Sequence, residues 1–241
     1  MEKQTGKHHV VITGTGRSGT TFLVELLTNL GLDTGFSASD SSQLKNPIAH
    51  AGLERDIFSD DNPYIIKSPG FCDQADEALH RKDIIIDHIY VPIRNLHAAA
   101  ESRRRVTRAN LSQEKTNALI KRRLLQICYG KQSFKDTIYD GGILPGNSKS
   151  FLKQEDILRD KLYKLLLAGS KYHVPFTFMH YPRITKDCEY LHEKLKPLLE
   201  NITYEFFYLT FARTARPDLI HTFDSQDKWE PIESDSGREA A

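Results

Sequence analysis

The chain has 241 residues, 39% hydrophobic and 27% charged, with a formal net charge of +1 at pH 7. This composition suits a single domain with a substantial core, and it supplies no bulk positive charge for nucleic-acid binding. Three widely spaced cysteines (Cys72, Cys128, Cys188) fit neither a metal site nor a disulfide framework and point to a reducing, cytoplasmic compartment. The polar start Met-Glu-Lys-Gln-Thr-Gly-Lys and the lack of a long apolar run predict no signal peptide and no membrane span.

Four apolar runs read as buried strands: His9 to Thr13, Tyr64 to Lys67, Asp87 to Ile93 and Pro175 to Met179. They are rich in Val, Ile and Phe without strict alternation, as in parallel strands covered on both faces. The pair His8-His9 reads as an exposed approach to the first strand rather than a metal site. Helical periodicity occupies Thr20–Leu30, Asp73–Arg81, Leu96–Arg108, Gln113–Gly130, Gln154–Ser170 and Lys186–Leu199. Strands alternating with helices predict an α/β fold, a three-layer sandwich around a mostly parallel sheet. Residues 1–223 form the single domain. The acidic, Ser/Gly-containing stretch 224–241, with the lone Trp229, reads as a flexible tail. The polar, Ser/Asp-rich segment 32–63 is too long for a simple connection and is expected to approach a ligand.

Directly after Val10-Val11-Ile12 comes Gly14-Thr-Gly-Arg-Ser-Gly-Thr-Thr21, and then the helix carrying Phe22, Leu23, Leu26, Leu27 and Leu30. A strand, a glycine-rich turn and a helix N-terminus together hold phosphate, because backbone N–H groups converge on the anion at the positive end of the helix. A Walker-A loop needs lysine right after its last glycine. Here Thr20 follows Gly19, and the cation is Arg17.

A second strand-to-helix junction, Ile89-Tyr-Val-Pro-Ile-Arg-Asn-Leu-His-Ala-Ala-Ala-Glu-Ser102, sets Arg94 at the C-terminal end of a strand, where open α/β sheets bind ligands. Ser102 lies eight positions on, about two helical turns. A guanidinium and a hydroxyl facing one crevice suit a second phosphate.

The two motifs together resemble the sulfotransferases that use 3′-phosphoadenosine-5′-phosphosulfate (PAPS), over roughly residues 8 to 105. The glycine loop is similar to that family's 5′-phosphosulfate loop, in its bacterial, carbohydrate and protein-tyrosine branches, and the Arg94–Ser102 pair to its 3′-phosphate site. A weaker echo follows at Phe176-Thr-Phe-Met-His-Tyr-Pro. The resemblance implies a P-loop sheet topology, PAPS as donor, PAP as product and no metal. It implies that Arg17 binds the 5′-phosphate and the sulfuryl group, with Gly14, Thr15, Gly16, Ser18, Gly19, Thr20 and Thr21 supplying amides and hydroxyls. Phe22 falls where relatives stack an aromatic on adenine, although its helical spacing equally suits a core residue. Lys67 falls where relatives carry a sulfate-contacting lysine. The acceptor, a small molecule, carbohydrate or lipid, is not specified, and neither is an oligomeric state.

Two departures stand out. Pro69 occupies the place of the small-phenol branch's catalytic histidine, so a base is sought in the loop after the phosphate-binding helix, where other branches use a glutamate. Asp40 is the nearest carboxylate there, followed by His50 and Glu54. The family's basic loop that closes over the nucleotide is not recognisable. Arg103, Arg104 and Arg105, which with Arg108, Lys121, Arg122 and Arg123 make a basic stretch, either compensate for it or are solvated helix faces. Tyr181-Pro182-Arg183 could line the cleft. Two other readings stay open: a P-loop kinase or NTPase with a degenerate loop, which would need Mg²⁺, and a non-catalytic PAP-binding protein that has lost its base.

Overall fold

The computed structural model describes residues 6–46, 49–109 and 153–223. The expected helix Gln113–Gly130, Cys128, Lys121, Arg122, Arg123 and the tail with Trp229 lie outside them.

Four strands form the central sheet: β1 (Lys7–Ile12), β4 (Ile65–Lys67), β5 (Ile84–Ile93) and β6 (Phe176–His180). Their order is β4-β1-β5-β6 and every pairing is parallel. Ile12 pairs with Lys67 on one side and Tyr90 on the other, so the three strand ends that precede Thr13, Ser68 and Arg94 lie at the same edge of the sheet. Between β1 and β4 the chain forms α1 (Thr20–Asn29), α2 (Ala38–Gln43) and a short antiparallel hairpin of β2 (Lys45–Asn46) and β3 (Ala51–Gly52). The 32–63 segment thus carries local structure that its composition did not suggest.

Helices cover both faces, as parallel strands require. Side chains alternate along β1, so Val10 and Ile12 pack in one core and Val11 in another. The first core meets Leu23, Leu26 and Leu27 of α1, Leu191 of α6 (Cys188–Leu195), and Phe207 and Phe211 of α7 (Tyr204–Thr214). The second meets Phe71, Cys72 and Ala75 of α3 (Phe71–His80) and Leu165 and Ala168 of α5 (Gln154–Tyr172). The result is an α/β sandwich of three layers.

Helix α4 covers residues 96–109. Its small residues Ala99 and Ala100 are fully buried and pack with Leu158 of α5, and Arg104 reaches the Glu155 carboxylate at 2.6 Å. These contacts hold α4 against α5 and thereby position Ser102 and Arg103.

Helix α7 has no counterpart in the sequence reading. Its signals were present: the Thr203 hydroxyl accepts from the Phe206 amide as an N-cap, and Phe207 and Phe211 recur at i, i+4 in the core. His9 is also not exposed. It is buried, with Nδ1 2.7 Å from the Pro63 carbonyl oxygen, while His8 pairs with Asp87 at 2.7 Å. Among the described residues no helix is long and apolar enough to cross a membrane.

Candidate functional site

A cleft of about 580 Å³ opens at the C-terminal edge of the sheet, floored by the glycine loop. The loop holds its shape with backbone of positive φ at Gly16 (75°) and Gly19 (89°). Gly19 is doubly constrained, since a Cβ there would lie 3.0 Å from the Tyr181 ring and 3.1 Å from Ile184. Arg17 itself adopts φ 59°, a left-handed conformation unusual for a long side chain and of a kind that concentrates at ligand-binding turns.

The two sequence motifs meet here through their own side chains. Arg17 donates from Nε to the Ser102 hydroxyl at 3.1 Å and from Nη1 to the Ala49 carbonyl at 2.6 Å. Arg94 donates from Nη1 to the Arg17 carbonyl at 3.1 Å and from Nη2 to the His221 carbonyl at 2.5 Å. The Arg94 guanidinium also lies 5.0 Å from the Tyr181 ring and 5.7 Å from the Phe223 ring. Two guanidinium groups, from junctions 77 residues apart in sequence, thus share one continuous network.

Lys67 is the third cation. A lysine ending a strand is ordinarily exposed, yet Lys67 is only 2% accessible. Its Nζ donates to the Thr21 hydroxyl at 2.9 Å, the Gly52 carbonyl at 2.5 Å and the Glu54 carboxylate at 3.1 Å. The loop after α1 therefore curls back over the phosphate-type turn, and Ala49, His50, Ala51 and Glu54 line the cleft.

Of the residues expected at the site, Gly14, Thr15, Gly16, Arg17, Gly19, Thr20, Thr21, Phe22, Lys67, Arg94 and Ser102 all line this cleft. Phe22 is partly buried and packs edge-on against Phe211 at 6.0 Å, so it serves the core and the cleft wall at once. Two expected residues stand elsewhere. Ser18 is fully buried, its hydroxyl enclosed without a hydrogen-bond partner rather than presented to the cleft. Asp40 is half-buried and does not line the cleft. Its carboxylate accepts from the Ser37 amide and hydroxyl, both at 2.8 Å, closing a capping box on α2. Those hydrogen bonds hold its pKa below the ordinary carboxylate value. Glu54 is the carboxylate beside the cations.

Electrostatically the cleft is cationic, with many lysines and arginines among its described lining residues against the carboxylates of Glu25 and Glu54. Burial pulls Arg17 down to about 10, and the positive fields of Arg94 and Arg103 act in the same direction against an opposing contribution from Tyr181. His221 is likewise held below its usual value, by burial first and then by Arg105, Arg17, Arg94 and His50. A site that disfavours its own cations in this way is stabilised by a bound anion.

The C-terminal residues that cover this cleft were not anticipated. Arg213 and Thr214 at the end of α7, then Arg216, Leu219, Ile220 and His221, line it from above. No spacing in the sequence ties this segment to Arg94; the bond is made through a backbone carbonyl, which any residue possesses. Among the described residues no group of three or more His, Cys, Asp and Glu side chains gathers that could hold a metal. Comparison of the chain with protein-family models, with curated proteins and with solved structures finds no match.

Proposed function

We propose that this chain is a sulfotransferase, built on a P-loop type of sheet, that moves a sulfuryl group from PAPS to an acceptor hydroxyl. The observation that carries the reading is the convergence of Arg17, Arg94 and Lys67 in one cleft over a glycine loop that has threonine where a Walker lysine would stand. Carbonyl oxygens of Ala49, Gly52 and His221 already accept from these three cations, so their donors are oriented for oxygen ligands.

In this reading Arg94 and Ser102 hold the 3′-phosphate, while Arg17, Thr20 and Thr21 hold the 5′-phosphosulfate. The acceptor oxygen forms a bond to sulfur as the bond from sulfur to the bridging oxygen of the 5′-phosphate breaks, and PAP leaves with that electron pair. The transition state is loose and in line, so catalysis rests on positioning and on cations aimed at the departing and equatorial oxygens. Arg17 and Lys67 supply those cations. Glu54, 3.1 Å from Lys67 Nζ, takes the proton of the acceptor hydroxyl. Arginine and lysine neutralise the charge, so no divalent metal is needed. Cys72 and Cys188 are free thiols, in keeping with a reducing, cytoplasmic setting.

The test is a thermal-shift comparison of the full chain with PAP, with ATP and Mg²⁺, and without ligand. Stabilisation by PAP but not by ATP–Mg²⁺ is the expected result. Stabilisation by ATP–Mg²⁺ alone means a kinase or NTPase, and indifference to PAP overturns the reading. PAP binding without transfer from PAPS to any of a panel of sugars, lipids and phenols means a binding protein.

A further inference from the structure

Helix α4 carries three consecutive arginines, and the structure treats them differently. Arg104 is fully engaged, with Glu101 and Glu155 carboxylates each at 2.6 Å. Arg105 is exposed at the cleft rim. Arg103, about 100° round the helix from Ser102, lines the cleft with Nε and Nη1 enclosed by protein and without any hydrogen-bond partner. Burial holds its pKa below the ordinary arginine value. Buried polar groups in native proteins are almost always satisfied, so a guanidinium left with two orphan N–H groups at a cleft wall calls for an explanation.

The negative field that acts on it is that of Asp73, in the first turn of α3. That carboxylate is already shared by Lys161, which hydrogen-bonds it directly, and by Lys164 at 3.3 Å. Three cations therefore stand around one carboxylate. Lys161 and Pro69 line the cleft together with Arg103. This corner differs from the Arg94 corner, which is closed by Tyr181, Phe223 and the His221 carbonyl.

We propose that Arg103 and Lys161 form a second oxyanion subsite in the cleft, and that it receives a carboxylate, sulfate ester or phosphate ester carried by the acceptor. The acceptor is then itself anionic. This rests on the reading that the Arg17 and Arg94 set belongs to the donor. A guanidinium without hydrogen-bond partners, beside an ammonium group, makes charge-assisted hydrogen bonds to any of these planar or tetrahedral oxyanions.

The test uses the full chain saturated with PAP and titrated separately with inorganic sulfate, inorganic phosphate and glucuronate, against sodium chloride at matched ionic strength. The expected result is a further rise in Tm with one or more oxyanions beyond that with chloride. The most effective titrant identifies the group the acceptor carries. Arg103→Gln abolishes that rise, leaves PAP affinity within about threefold (under 1 kcal/mol), and raises the ligand-free Tm because an unpartnered buried charge is gone. Arg103→Lys keeps part of the oxyanion response. No response to PAP sinks the functional reading and this proposal with it. A response to PAP with no oxyanion effect over chloride sinks this proposal alone. An Arg103→Gln protein that binds PAP tenfold more weakly assigns Arg103 to the donor, and one that fails to fold assigns it to the scaffold; either overturns the proposal.

Discussion

Replacing Arg94, a residue that is 7% accessible, with alanine removes its hydrogen bonds to the carbonyls of Arg17 and His221, together with its contacts to the Tyr181 and Phe223 rings. Hydrogen bonds to charged groups contribute about 1.5–3 kcal/mol each. The His221 carbonyl lies in an exposed residue that water can reach, so its bond is discounted, and relief of a buried charge offsets part of the rest. A net loss of roughly 3 kcal/mol follows, which in a domain of this size lowers Tm by roughly 6–12 °C. The same guanidinium is the donor assigned to the 3′-phosphate, so a ligand effect accompanies the stability effect. Losing one charge-assisted contact weakens PAP by roughly 10- to 150-fold and leaves AMP, which lacks the 3′-phosphate, nearly unaffected. The assay is calorimetric titration of both nucleotides into wild type, Arg94→Ala and Arg94→Lys, with melting curves on the same samples. Lysine keeps the charge but not the fork, and so restores less than half of the lost PAP preference. An unchanged ratio of PAP to AMP affinity would refute the role given to Arg94, and an unchanged Tm would refute the network that joins the two motifs.

Glu54→Gln is expected to lower kcat for transfer by roughly 10²- to 10⁴-fold while PAP affinity holds; full activity would remove Glu54 as the base. Asp40→Asn weakens only the α2 capping box, so it should cost a little thermal stability and no activity, and a large fall in kcat would return the base to Asp40. Gly19→Ala puts a Cβ 3.0 Å from the Tyr181 ring at a φ of 89°, so the variant should melt lower and lose PAP binding together; normal PAP binding would show that the loop tolerates another shape. Hydrogen bonds from Arg104 hold the Glu155 carboxyl at about 2. A carboxyl depressed in the folded state stabilises above its unfolded pKa of 4.5 and loses that contribution as pH falls toward 2. Melting temperatures measured from pH 5 to pH 2 should therefore fall more steeply in wild type than in Glu155→Gln, and identical slopes would count against the α4–α5 tie.

Much of the scaffold is legible without coordinates because its signals are local. An apolar run such as Val10-Val11-Ile12 has no exposed face to offer and has to be a strand covered on both sides. The glycines at 14, 16 and 19 announce a turn that other residues adopt only with strain, and Arg17 and Arg94 each stand where a strand gives way to a helix. Helix α7 carries local signals of the same kind, in its Thr203 cap and the Phe207–Phe211 spacing. Asp40 shows the opposite case. In sequence it is simply the first carboxylate in the right loop, and only the Ser37 contacts reveal that it caps a helix.

What the sequence determined by itself is the kind of element at each position and the presence of two strand-to-helix junctions that each carry an arginine, because propensity, capping and periodicity act over a few neighbouring residues. What only the tertiary structure decided is which groups those junctions meet. Glu54 comes beside Lys67 because the 32–63 segment folds back over the sheet edge, His221 closes on Arg94 through a backbone carbonyl, and Arg103 is separated from Arg104 by the rotation of one helical residue. Such contacts depend on chain segments far apart in sequence and on backbone atoms common to every residue, so no local pattern encodes them.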